Sequence, residues 1–122
     1  MIYTGYFAYL KRYMKEGLIP FSIARKSPQF YDGHRILMFA PEEELLWKYK
    51  NGEVDAKEYA RRYWHYLNNL DLDVVTPIVN ALKQKNVILL CYEKPTDFCH
   101  RHVLAKWLVD NFDVSVEEYE VN

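Results

Sequence analysis

The 122-residue sequence predicts an α/β fold: a small three-layer sandwich, with a mostly parallel sheet of about four strands and helices on both faces. Three observations carry that prediction. Short runs rich in β-branched and aromatic residues alternate with longer stretches of helical periodicity. The most apolar run, Val87-Ile88-Leu89-Leu90-Cys91, reads as a central parallel strand. It passes through a Pro-containing turn straight into another helical stretch, as a βα unit does.

Taken in order, Met1 to Phe7 reads as the first strand, with Gly5 letting the backbone turn before a short helix from Tyr9 to Lys15 that closes at Gly17. Leu18 to Ala24 is the second strand, followed directly by Arg25. Lys26 to Arg35 holds Pro28 and Gly33 and reads as a locally basic loop. Ile36 to Phe39 is too short to classify, as a buried connector or a minor strand. Pro41 before three glutamates marks a helix start, with Leu45, Leu46 and Tyr49 on its apolar side and Asn51-Gly52 as its stop. Those glutamates are helix-stabilising surface charges rather than metal ligands.

Asp55 to Glu58 resembles a capping box, and Tyr59, Tyr63, Leu67 and Leu70 then recur at helical spacing, with Arg61, Arg62 and His65 opposite. A buried Tyr63 needs a hydrogen-bond partner. Val74, Val75, Ile78, Val79 and Leu82 form the next stripe, which accommodates Pro77 only if that residue falls in the first turn. After the central strand, Val103, Leu104, Trp107, Leu108 and Phe112 bury one side of the last helix. Asp113 to Tyr119 alternates like an edge strand whose acids keep it soluble.

One domain over residues 1–122 is expected from the length. Sixteen Lys and Arg against seventeen Asp and Glu leave a net charge of -1, so a nucleic-acid partner stays open but is not indicated by total charge. No apolar run approaches the roughly 20 residues of a membrane span, and no signal-peptide pattern opens the chain, so a soluble cytoplasmic protein with reduced cysteines and no membrane partner is expected. No cofactor is expected, and the oligomeric state is not readable. The eleven tyrosines suggest rings that line a cleft or a surface.

The chemistry concentrates where the central strand meets the last helix, from Cys91 and Glu93 to Cys99, His100 and Arg101. With Asp97 or Thr96 as N-cap, Phe98, Cys99, His100 and Arg101 occupy the first turn, whose free N–H groups favour anions and thiolates. Cys91 and Glu93 would leave the strand's carboxyl end, where open α/β sheets bind ligands. Arg25, at the end of the second strand, converges on the same edge.

Cys91-x-Glu93, Phe98-Cys99-His100-Arg101 and a helix containing Leu104, Ala105, Trp107 and Leu108 resemble the signature of domain-of-unknown-function family 488 (DUF488). Ile2 to Phe7 and Phe21 to Pro28 resemble that family's first two strand regions, so the likeness covers most of the chain. It implies a small α/β fold and names no reaction.

Three functional readings use the motif. In the leading one an anionic, nucleotide-like or phosphate-bearing ligand is bound by Arg101 and Arg25, with Tyr3, Tyr6 or Tyr92 stacking on a planar ring and Glu93 or His100 as acid or base. In the second, Cys91 or Cys99 is a nucleophile or redox thiol. Against it, phosphatase and rhodanese sites keep an Arg or backbone amides close behind the thiol, whereas here the first arginine after Cys91 is Arg101. Seven residues also separate the cysteines, unlike a redox dithiol motif. The third, a metal held by Cys91, Cys99, His100 and His102, is disfavoured because adjacent helical residues point about 100° apart. A non-catalytic nucleic-acid or protein binding module remains the alternative from another class, and a purely structural cluster, with Glu93 paired to Arg101, is weighed against all of them.

Overall fold

The computed structural model describes residues 1–94 and 98–121. Five strands, β1 (Ile2–Tyr6), β2 (Ile19–Ser22), β3 (His34–Arg35), β4 (Val87–Cys91) and β5 (Val116–Glu118), form one all-parallel sheet in the order β3-β2-β4-β1-β5. The strand beyond the four expected is β3. Its two residues are exposed, so it carries no apolar pattern that a sequence reading could detect. A 3-10 turn at Leu37–Phe39 follows it and resolves the unclassified segment as a buried connector around Phe39.

Among the described residues, five α-helices cover the sheet: α1 (Leu10–Lys15), α2 (Glu43–Lys50), α3 (Ala56–Asn68), α4 (Leu72–Leu82) and α5 (His100–Asn111). The period-2 alternation of β4 divides them. Val87, Leu89 and Cys91 join the larger core, with side chains from α2, α3, α4 and α5, while Ile88 and Leu90 join Tyr13 and Leu18 on the α1 side. Every residue of β4 is buried, as befits a strand covered on both faces. Gly5 permits the α1 layer to approach this closely: a Cβ there would lie 2.6 Å from Tyr13 Oη and 2.7 Å from Ile88 Cδ1.

Local signals explain most boundaries. Asp55 Oδ1 accepts from the Glu58 N–H at 2.8 Å and caps α3, whose Tyr59, Tyr63 and Leu67 face the core. Tyr63 finds its partner by donating to the Phe39 carbonyl at 2.5 Å. Pro77 departs from expectation. It sits inside α4, past the first turn, because Asp71 caps the helix five residues before Thr76 and the buried stripe of Val75, Val79 and Leu82 holds the helix on the sheet despite the lost N–H.

The start of α5 also differs. The expected caps, Thr96 and Asp97, lie outside the described residues; the helix begins at His100, with Cys99 as N-cap in extended backbone (φ -146°, ψ 147°). Phe98 and Cys99 therefore precede the helix instead of lying in its first turn. No helix among the described residues is long and apolar enough to cross a membrane.

Candidate functional site

Register sets the site. Tyr6 of β1 lies opposite Cys91 of β4, and the Ile23 N–H, just past β2, donates to the Leu90 carbonyl at 3.0 Å. Three strand ends thus finish at one carboxyl edge, the ligand-binding edge of open α/β sheets. The chain leaves Cys91 through Tyr92, Glu93 and Lys94 and comes back at Phe98 and Cys99.

The two sulfur atoms meet there, joined as a disulfide, and the Cα atoms are 7.2 Å apart. This differs from the reduced cysteines expected, and the seven residues between them, unlike the spacing of a redox dithiol motif, matter little once a strand end and a helix start lie side by side. A Cα separation slightly beyond the ~4.4–6.8 Å usual for bridges leaves room on the same backbone for two separate thiols.

His100 is 7% exposed, and its Nε2 lies 2.7 Å from the Ile23 carbonyl. A carbonyl only accepts, so the imidazole proton sits on Nε2 and Nδ1 is left as an acceptor, 3.7 Å from Cys99 Sγ. Burial pushes the His100 pKa down to about 4, against the Ile23 hydrogen bond and with help from the Arg101 charge, so the ring is neutral near pH 7.

Arg101 is fully buried. Its Nε and Nη2 donate to the two carboxylate oxygens of Glu118 at 3.0 and 2.9 Å, and its Nη1 donates to the Glu93 carbonyl at 2.7 Å and to Cys91 Sγ at 3.0 Å. Thr4 Oγ1 donates to Glu118 Oε1 at 2.6 Å, and the guanidinium carbon stands 6.0 Å from the centre of the Tyr6 ring. The side chain does not line the cavity but lies beneath it, so the groups it holds are Glu118, the Glu93 carbonyl and a sulfur. The ion pair imagined with Glu93 is made with Glu118 instead. Arg101, ten residues after Cys91 in sequence, lies beside it in space because α5 returns it to the strand end.

Above the sulfurs opens a cavity of about 400 Å³. Cys91, Cys99, Glu93 and His100 reach it from the central motif, and Arg25 reaches it from the end of β2. Tyr49, Tyr59 and Phe98 form an aromatic wall, packed edge-to-face with centroids 4.7 to 5.7 Å apart. Lys26, Lys50 and Arg25 line the rim, and among the described residues none of the three has a carboxylate within salt-bridge distance. Arg25 is oriented by donating twice to the Pro41 carbonyl, at 3.0 and 2.9 Å.

Tyr3 and Tyr6 do not line this cavity. Tyr3 packs edge-on against Tyr119 at 5.0 Å, and Tyr6 lies against Tyr9 at 4.9 Å. Of the tyrosines expected to stack on a ligand, Tyr92 reaches the cavity, its hydroxyl donating to the Lys26 carbonyl at 2.5 Å. Three contributors went unnoticed in the sequence. Tyr49 and Tyr59 looked like ordinary core positions on helix stripes, and Glu118 looked like one solubilising acid among several.

Cys91, Cys99 and His100 also place their ligand atoms within 4.8 Å of one another, a donor set suited to a soft metal ion. The objection that neighbouring helical residues diverge does not apply, since Cys99 is outside the helix; His102 is not part of the group.

A family model described as DUF488-N3a, Active DUF488-N3 subclade, matches residues 10–112. No curated protein and no solved structure matches the chain.

Proposed function

Since the chain belongs to the DUF488 family, within the subclade described as active, we propose that it is a thiol enzyme whose Cys91 attacks an anionic, ring-bearing substrate of nucleotide-like size. One observation carries this reading: Arg101 Nη1 lies 3.0 Å from Cys91 Sγ at the floor of the cavity. A guanidinium beside a thiol favours the thiolate, which is the nucleophilic form. The rim of Arg25, Lys26 and Lys50 supplies charge for an anion, and the Tyr49–Tyr59–Phe98 wall supplies apolar faces for a planar ring.

In the reduced enzyme, the Cys91 sulfur forms a bond to the electrophilic atom of the substrate. The bond from that atom to the leaving group breaks, and the leaving group takes the electron pair, and with it negative charge, toward the basic rim. Glu93, whose carboxyl-bearing side chain also lines the cavity, is the acid assigned to the leaving group. Glu118 accepts from Nε and Nη2 of the same guanidinium, so its negative charge offsets part of the field that Arg101 exerts on the sulfur.

The test is the pH dependence of Cys91 alkylation by iodoacetamide in reduced protein. The midpoint should fall well below the ~8.5 of an ordinary thiol. Arg101→Ala should return it toward that value. Glu118→Gln, which removes a neighbouring negative charge while keeping a carbonyl acceptor, should move it the opposite way. An ordinary midpoint in the wild type, or shifts of the same sign in both variants, would overturn the reading.

A further inference from the structure

We propose that Cys99 is the second reactant of the site, a resolving thiol activated by His100, and that the substrates it handles leave an electrophilic sulfur on Cys91: anionic disulfides or persulfides. The proposal rests on the thiol-enzyme reading and deepens it. Its starting point is that the two thiols, though in contact, have different neighbours. Arg101 donates to Cys91 Sγ, which favours a resident thiolate there. Cys99 Sγ instead faces His100 Nδ1, the nitrogen left unprotonated because Nε2–H is committed to the Ile23 carbonyl. One sulfur is therefore held as an anion, and the other stands beside a base that can take its proton.

That asymmetry orders the reaction. The Cys91 thiolate attacks a substrate disulfide R–S–S–R′: a bond forms between Cys91 Sγ and the R sulfur, the old S–S bond breaks, and R′–S⁻ departs with its electron pair. The Cys99 proton passes to His100 Nδ1 as the Cys99 sulfur attacks Cys91 Sγ, in one concerted movement, so that no free imidazolium has to persist in a buried site that disfavours it. The Cys91–Cys99 bond forms, the bond to R breaks, and the departing R–S⁻ takes the proton from His100 to leave as R–SH. The substrate is reduced by two electrons and the cysteine pair is oxidised by two. A low-molecular-weight thiol or dithiol must reduce the bridge before the next turn, by the same exchange chemistry in reverse. The cationic rim suits a substrate that carries carboxylates or phosphate beside its sulfur.

Glutathione disulfide, an anionic disulfide, is the probe. Reduced full-length protein is mixed with it at pH 7.5, quenched with acid and weighed intact by mass spectrometry, while released thiol is counted. Wild type should pass through a single glutathione adduct to an internally oxidised chain and release two thiols per chain. Cys99→Ser should stop at the adduct on Cys91 and release one. His100→Asn should form the adduct at the wild-type rate but clear it roughly a hundredfold more slowly, the usual scale for losing a positioned base.

Equal accumulation of adduct in wild type and Cys99→Ser would overturn the relay. So would a purified protein that holds one tetrahedral metal per chain on these residues, recognised by thiolate charge-transfer bands after cobalt substitution. In either case a low alkylation midpoint at Cys91 would leave the thiol-enzyme reading standing, whereas an ordinary midpoint would remove both.

Discussion

The floor of the cavity and its rim are built on opposite principles, although only a few residues separate them along the chain. On the floor, the polar groups of His100 and Arg101 are buried and partnered: imidazole to a strand-end carbonyl, guanidinium to a carboxylate, a carbonyl and a sulfur. On the rim, Lys26 and Lys50 project around an open volume with no carboxylate at salt-bridge distance among the described residues. Burial forces the first pattern, because an unpaired polar group away from water is costly. Exposure permits the second. Substitutions on the floor are therefore expected to cost stability, whereas those on the rim come at little structural cost.

The largest effect that can break this contrast comes from Arg101→Ala. Removing one member of a buried ion pair costs about 3–5 kcal/mol, and the lower part of that range applies here because the Glu118 side chain keeps 24% exposure. The Glu93 carbonyl would lose a donor as well. Urea unfolding of reduced wild type and variant measures the difference. A loss below about 1 kcal/mol would place Arg101 energetically with the surface and not with the floor.

Next in size is the proton linkage of His100. Its folded-state pKa is about 4, depressed chiefly by burial, against an ordinary value of 6.5. As pH falls through 6.5 the unfolded chain takes up a proton that the folded chain refuses until about pH 4, so the unfolded state binds more protons across that window and stability declines. At about 1.4 kcal/mol per pH unit the window is worth roughly 3 kcal/mol, present in full above pH 6.5 and gone near pH 4. Unfolding free energies at pH 7, 5.5 and 4.5 should trace the decline in wild type and lose most of it in His100→Asn, the remainder belonging to His102, whose pKa burial also lowers. The exposed Glu58, held at about 2 by Arg61 and Arg62, acts in a lower window, from its ordinary 4.5 downward, and does not blur the result.

These two residues also mark what the sequence made legible. Periodicity revealed the alternating strands and helices, and the all-apolar run of β4 placed the polar motif that follows it at a central strand end, because burial on both faces leaves a compositional trace. Convergence in space leaves none. Arg101 and Cys91 are ten residues apart, Glu118 is seventeen beyond Arg101, and Ile23 is seventy-seven before His100, yet each pair is in contact. Spacing rules drawn from compact motifs see no arginine near Cys91 in the sequence, whereas the βα return brings Arg101 to within 3.0 Å of its sulfur. The two-residue β3 had no pattern to read, and the backbone of Cys99, extended where a helix was expected, undid the angular argument about its neighbour.

The smallest structural effect, and the one that sharpens the contrast most, belongs to Lys50→Ala. Lys50 lies in the last turn of α2, where a cation has a favourable interaction with the helix end worth about 0.3–1 kcal/mol, so unfolding should register a few tenths and no more. If the rim recognises anions, adenosine monophosphate should protect Cys91 from alkylation in wild type, and the concentration needed should rise about fivefold to tenfold in the variant, equivalent to about 1–1.4 kcal/mol of lost binding. The alkylation midpoint of Cys91 in the absence of ligand should stay where it was, because Arg101 sets it. A variant that shifts that midpoint, or that melts like Arg101→Ala, would mean that the rim charge acts through the floor and that the two regions form one electrostatic unit. Unchanged protection by adenosine monophosphate would instead transfer anion recognition to Arg25, whose two bonds to Pro41 already fix its direction.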